Sequence, residues 1–120
     1  MKKIFTIVCL LALASNTSFA AVFFQTGLEL MPEAQQWNNY FTRNKKIEEV
    51  DWQKVTFFQG YVSGVASAAR HQLNLPVGAQ IDQLCMIVYQ YFQENSNKLH
   101  EPAADLIILA LKKAFSRNGL

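Results

Sequence analysis

Cysteine, histidine and net charge are the scarce quantities in this 120-residue chain. Of its two cysteines, Cys9 sits in an N-terminal apolar stretch and Cys85 stands alone in the rest. One cysteine cannot close an internal disulfide, the usual reinforcement of a small exported domain. Stability must then come from the core or from an oligomer. The two histidines, His71 and His100, stand in no HExxH or other metal-ligating spacing. Five scattered glycines make no phosphate-binding loop. No apolar run reaches the roughly 20 residues that span a bilayer.

What the N-terminus does contain is an ordered series of regions. Lys2 and Lys3 form a short positive segment, Ile4 to Leu13 is apolar, and Ser15-Asn16-Thr17 is polar and turn-prone. Ser18-Phe19-Ala20 then places small residues where a signal peptidase needs them. The order predicts a cleavable export signal over 1–20, cut between Ala20 and Ala21, and a periplasmic location for the remainder. A membrane anchor would need a longer apolar run. A lipoprotein signal would need a small residue before Cys9, where bulky Val8 stands instead. Removing Lys2 and Lys3 leaves nine bases against nine acids in residues 21–120. The net charge of +2 for the whole chain is therefore misleading, and nothing points to a nucleic-acid surface.

Residues 21–120 are the length of one small domain. Their apolar spacing predicts an all-α fold, a small bundle of about four helices. The first helix is expected over Thr26 to Arg43: Thr26 and Glu29 resemble a capping box, and Leu30, Ala34, Trp37 and Phe41 follow at helical spacing. Pro32 inside it either kinks the helix or marks its true start. The second is expected over Asp51 to His71, with Asp51 as N-cap and Val55, Phe58, Val62, Val65 and Ala69 on one face. Beside that face runs a stripe of small residues, Gly60, Gly64 and Ala68. Glycine inside a helix costs about 1 kcal/mol relative to alanine, so close packing of another helix, within the domain or from a second copy, is the expected compensation. Leu75-Pro76-Val77-Gly78 breaks the chain. A third helix follows from about Ala79 to Glu94. A fourth starts near Pro102 and carries Leu106, Ile107, Leu109, Ala110, Leu111, Ala114 and Phe115, apolar on more than one side.

The catalytic inventory is thin, and no catalytic, cofactor-binding or metal-ligating residue is assigned. Cys85 falls on the apolar face of the third helix, where a thiol behaves as a small hydrophobe; an intermolecular disulfide is its other reading. Glu48, Glu49 and Asp51 alternate with Lys45, Lys46 and Lys54, which describes a solvated, charge-balanced surface. An enzyme is not expected.

At the second helix the chain resembles a known family. Phe58-Gln59-Gly60-Tyr61-Val62-Ser63-Gly64-Val65 is similar to the G-Y-x-x-G-V core of the Rap/Tai-type immunity proteins. Leu75-Pro76-Val77-Gly78-Ala79-Gln80-Ile81-Asp82-Gln83-Leu84, Val88-Tyr89-Gln90-Tyr91-Phe92, Leu99-His100-Glu101-Pro102-Ala103-Ala104 and Ala110-Leu111-Lys112-Lys113-Ala114-Phe115 resemble later family segments in the same order. Thr26-Gly27 fits the start. The resemblance implies an HdeA-like or related form of that bundle and a periplasmic immunity protein associated with type VI secretion, neutralising a peptidoglycan amidase by blocking its active site, and often a homodimer. It also implies a disulfide whose cysteines are replaced here by Asn74 and, approximately, Arg117.

Under that reading the polar loops are the expected partner-binding surfaces: Lys45 and Lys46 before the second helix, and Asn95, Asn97, Lys98 and His100 before the fourth. A function of a different class is an acid-stress chaperone of the periplasm. A third is a structural role in the cell envelope.

Overall fold

The computed structural model describes residues 25–43 and 45–116. The expected signal segment 1–20, the Ala20–Ala21 junction and Arg117 lie outside the described residues. Among those described there are four α-helices, α1 (Gly27–Phe41), α2 (Trp52–Ala68), α3 (Ile81–Glu94) and α4 (Ala103–Ala114). Short 3-10 turns at Ile47–Glu49, Arg70–Gln72 and Ser96–Lys98 fill the connections. The fold is all-α, as the apolar spacing predicts. The described residues form no strand beyond one isolated antiparallel bridge, Thr26 to Pro102.

Helix α1 begins with the expected capping box. Thr26 Oγ1 accepts the Glu29 N–H at 3.2 Å, and the Thr26 N–H donates to Glu29 Oε2 at 3.1 Å. Pro32 neither starts nor ends the helix, which runs through it. Its missing N–H leaves the Leu28 carbonyl without a helical donor, a loss that water can make good because Leu28 is exposed. Leu30, Ala34 and Trp37 form the buried face. Phe41 continues that face at the rim, its ring stacked on Trp37 with centroids 5.3 Å apart.

Asp51 caps α2 by accepting from the Gln53 and Lys54 N–H groups. The α-helix stops at Ala68, short of the expected His71, and Arg70–Gln72 tighten into a 3-10 turn. The chain then reverses through Pro76 to Ala79, closed by the Ala79 N–H on the Pro76 carbonyl at 3.1 Å. Gly78, at φ +84°, takes the left-handed position this turn requires. Helix α3 starts at Ile81, two residues later than expected, and α4 at Ala103, so Pro102 is the N-cap and not the first helical residue.

Phe58 of α2, Phe92 of α3 and Leu106, Ile107 and Leu111 of α4 join Trp37 in one core. Each is fully buried, contributing about 1.5 to 3 kcal/mol by removal from water. Ala103, Leu106, Ile107, Ala110 and Leu111 of α4 are buried against the other three helices, while Leu109, 46% exposed, and Ala114 leave part of its broad apolar surface uncovered.

The bridge at Thr26 fixes how α1 meets α4. The Gly27 N–H donates to the Glu101 carbonyl at 3.1 Å and the Leu28 N–H to the Leu99 carbonyl at 2.8 Å. In return, the Ala103 N–H donates to the Gln25 carbonyl at 2.8 Å. The approach is close enough to exclude a side chain at 27. A Cβ there would lie 2.8 Å from Leu106 Cδ1, 2.9 Å from Leu99 Cδ2 and 3.1 Å from the Leu99 carbonyl oxygen. The leucine tips can move, but the carbonyl is held by the Leu28 N–H. Gly27→Ala is therefore expected to lower stability by about 1 to 3 kcal/mol, measured by urea unfolding. An unchanged midpoint would show that the loop yields freely.

Candidate functional site

The expected partner-binding residues do not form one surface. Lys45 and Lys46 are exposed just beyond the C-terminal end of α1, where the Lys45 N–H donates to the Asn39 carbonyl. Asn97, Lys98 and His100 are exposed in the α3–α4 loop, which is pinned to the N-terminal end of α1. The length of α1, about 20 Å at 1.5 Å per residue, separates the two groups. Asn95 is half-buried, and its side-chain amide donates to the Tyr91 carbonyl at 2.9 Å, closing the end of α3. Its amide nitrogen is thus used inside the fold. Asn74, where the resemblance implies a cysteine, is exposed.

The small-residue stripe is corrected in one respect: it does not pack within the domain. Gly60, Gly64 and Ala68 are all exposed, and among the described residues nothing lies within 4 Å of a Cβ built at Gly60 or Gly64. Ala66 and Ala69, one to two residues away, are the small residues that face the core.

Cys85 is fully buried. Burial pushes its thiol up from 9.0 to about 12, with a further contribution from the Asp82 carboxylate. A thiol so held stays protonated and out of reach of a second thiol. His71 and His100 are both exposed and lie on separate loops. No group of three or more His, Cys, Asp or Glu that could hold a metal occurs among the described residues. No helix among them is long and apolar enough to cross a membrane.

Two surface features were not legible beforehand. The first is aromatic. Tyr40 makes edge contacts with Trp52 at 4.5 Å and Phe41 at 4.8 Å between centroids. Phe41 and Trp52 are 36% and 37% exposed, and Ile47, three residues before Val50, is 59% exposed. This cluster adjoins Lys45 and Lys46 in the chain. The second is a polar groove of about 360 Å³ between α1 and α3, lined by Asn38, Thr42, Tyr89 and Gln93 among others. A hydrogen-bonded relay orders its edge: Gln93 Nε2 donates to Tyr89 Oη at 2.6 Å, and Tyr89 Oη donates to Gln35 Oε1 at 3.1 Å. Gln35 Nε2 in turn donates to Asn39 Oδ1 at 3.4 Å. Each residue reads singly as helix surface; only the crossing of α1 and α3 assembles them.

Compared with known families, residues 26–116 match the family model described as Rap1a immunity proteins. No curated protein and no solved structure matches the chain.

Two expectations follow from the glycines and the thiol. Gly60→Ala and Gly64→Ala are each expected to raise stability by about 0.4 to 1 kcal/mol, in contrast to the same change at Gly27. A concentration-dependent loss in thermal unfolding would show instead that a second copy closes this face. For Cys85, the native thiol holds its proton where the unfolded thiol ionises. Its contribution to stability is whole below about pH 9 and is lost as pH rises towards about 12. The folded chain should resist a thiol reagent at mildly alkaline pH and react on unfolding; rapid labelling of the native chain would refute the burial.

Proposed function

Because the chain belongs to the Rap1a immunity protein family, we propose that it protects a cell from a peptidoglycan amidase effector delivered by type VI secretion. It acts in the periplasm, after removal of residues 1–20, by binding the amidase and covering its active site. The family match over residues 26–116 carries this reading. Immunity by this route needs a preformed surface and anchoring side chains, not a reaction.

The aromatic cluster supplies anchors of the required kind. Aromatic side chains, tryptophan and tyrosine above all, carry a large share of binding energy at protein interfaces, because they bury much area while losing few rotamers. Trp52, Phe41 and Tyr40 are half-exposed yet hold one another in place through ring contacts. Lys45 and Lys46, exposed and a few residues from Phe41 in the chain, supply charge that steers encounter more than it adds affinity. On the α3–α4 loop, Asn97, Lys98 and His100 form a second contact region about 20 Å away. A homodimer, which the resemblance implies, could bring the two regions of different copies towards one effector.

Periplasmic expression of a candidate amidase, with and without this chain, tests the reading. Lysis is expected alone and survival when the chain is present. Trp52→Ala combined with Phe41→Ala should weaken the isolated complex by at least about 2 kcal/mol, while thermal unfolding shows the fold retained. Equal lysis in both cultures, with no complex by gel filtration, refutes the pairing with that amidase. Gel filtration with light scattering decides between monomer and dimer.

A further inference from the structure

Helix α4 carries an acid in its first turn, Asp105, and two bases in its last, Lys112 and Lys113. That order suits the helix dipole, but the dipole does not decide which side of the helix the charges take. Asp105, Leu109 and Lys112 stand at i, i+4 and i+7, so they share one stripe, and all three are exposed. Lys113 turns to the other side, where it lines the space between α4 and α3 with Ile87 and Tyr91. Ile108 lies at the edge of the stripe, half-buried. The outward face of the helix thus reads acid, apolar, base.

We propose that a second copy of the chain packs on this face, with the two α4 helices antiparallel and crossing at Ile108 and Leu109. The pairing deepens the reading above, in which a homodimer presents two contact regions to one effector. Its register follows from the spacing. About a two-fold axis placed between residues 108 and 109, Asp105 meets Lys112 of the second copy, and Lys112 meets its Asp105. Leu109 of each copy meets Ile108 of the other. A second copy necessarily brings the same order reversed, which is the self-complementarity that a two-fold interface requires. A parallel pairing would set Asp105 on Asp105 and Lys112 on Lys112.

The apolar part of the face extends onto α2. Burial pushes the Tyr61 hydroxyl up, and the Asp105 carboxylate pushes it further, which sets Tyr61 beside the start of the stripe. Phe57 lies against Tyr61 with ring centroids 6.0 Å apart and is 46% exposed, as is Leu109. Helix α2 adds no charge of its own there, since none stands between Lys54 and Arg70. An interface core is depleted of charge in the same way, with charge kept to its rim. Two rows of helix about 18 Å long cover less than the ~800 Å² that each partner gives to a standard interface. The dimer is therefore expected to be reversible, with a dissociation constant in the micromolar range.

Analytical ultracentrifugation of the purified chain over a range of concentrations tests the pairing, and charge exchange tests its register. Asp105→Lys makes both charged positions of the stripe basic, and Lys112→Glu makes both acidic. Each change alone sets like charges together twice and should raise the dissociation constant roughly tenfold or more. An equal mixture of the two variants should restore pairing, because a basic stripe then meets an acidic one. Circular dichroism checks each fold. Leu109→Ala should weaken pairing without touching a charge, and it serves if a charge variant unfolds. A parent that stays monomeric up to about 500 µM overturns the proposal. So do single variants that pair as the parent does, and folded variants that fail to pair on mixing. None of these measurements needs an amidase. If no amidase is neutralised, the immunity reading fails while the ultracentrifuge still decides the pairing.

Discussion

The leading N–H groups of a helix have no carbonyl one turn back to bond, and when they are buried something else must supply one. In this protein two helices meet that requirement for each other. The first turn of α1 takes the Glu101 and Leu99 carbonyls from the segment leading into α4. The first N–H of α4 takes the Gln25 carbonyl from the segment leading into α1. Thr26 and Glu29 satisfy the groups that remain at the start of α1. The crossing brings the backbones so near that only glycine fits at 27. The crossing fixes one end of α1, and the rest of that helix lies with Trp37 against Phe58 at 5.9 Å, Gln35 against Tyr89, and Lys45 and Lys46 beyond its far end.

Features decided within a turn or two of helix were legible in the sequence. The capping box at Thr26, the cap at Asp51, the buried faces of α2 and α3 and the burial of Cys85 all come from spacing and side-chain chemistry alone. The break at Leu75 to Gly78 is of the same kind, since proline and a left-handed glycine punctuate any chain in the same way. The small misses at helix ends, Ile81 for Ala79 and Ala68 for His71, arise because end residues are fixed by what they touch.

Features that depend on what lies opposite were not legible. Gly60 and Gly64 have the spacing that permits close helix packing, yet they face outward, while Gly27, with no such spacing, is the glycine that another element approaches. Spacing records which residues share a face and is silent on what that face meets. Asn38 illustrates the same limit. It falls between Trp37 and Asn39 in a stretch that reads as the polar side of a helix, and α3 covers it. The two loops chosen as a binding surface share polarity, and the fold sets them apart by the length of α1. The aromatic anchors were visible as residues, but the rings of Tyr40 and Trp52 are brought together only when α2 turns back along α1.

The reciprocal bridge also has a bearing on timing. Gln25 and Ala103 stand near the two ends of the described chain, and contacts so distant in sequence form late, since the intervening loop must first be closed. A chain that emerges N-terminus first can lay α1 against α2 and α3, but the bridge at Thr26 waits for Leu99 to Ala103. That late segment acts as the latch that closes the bundle.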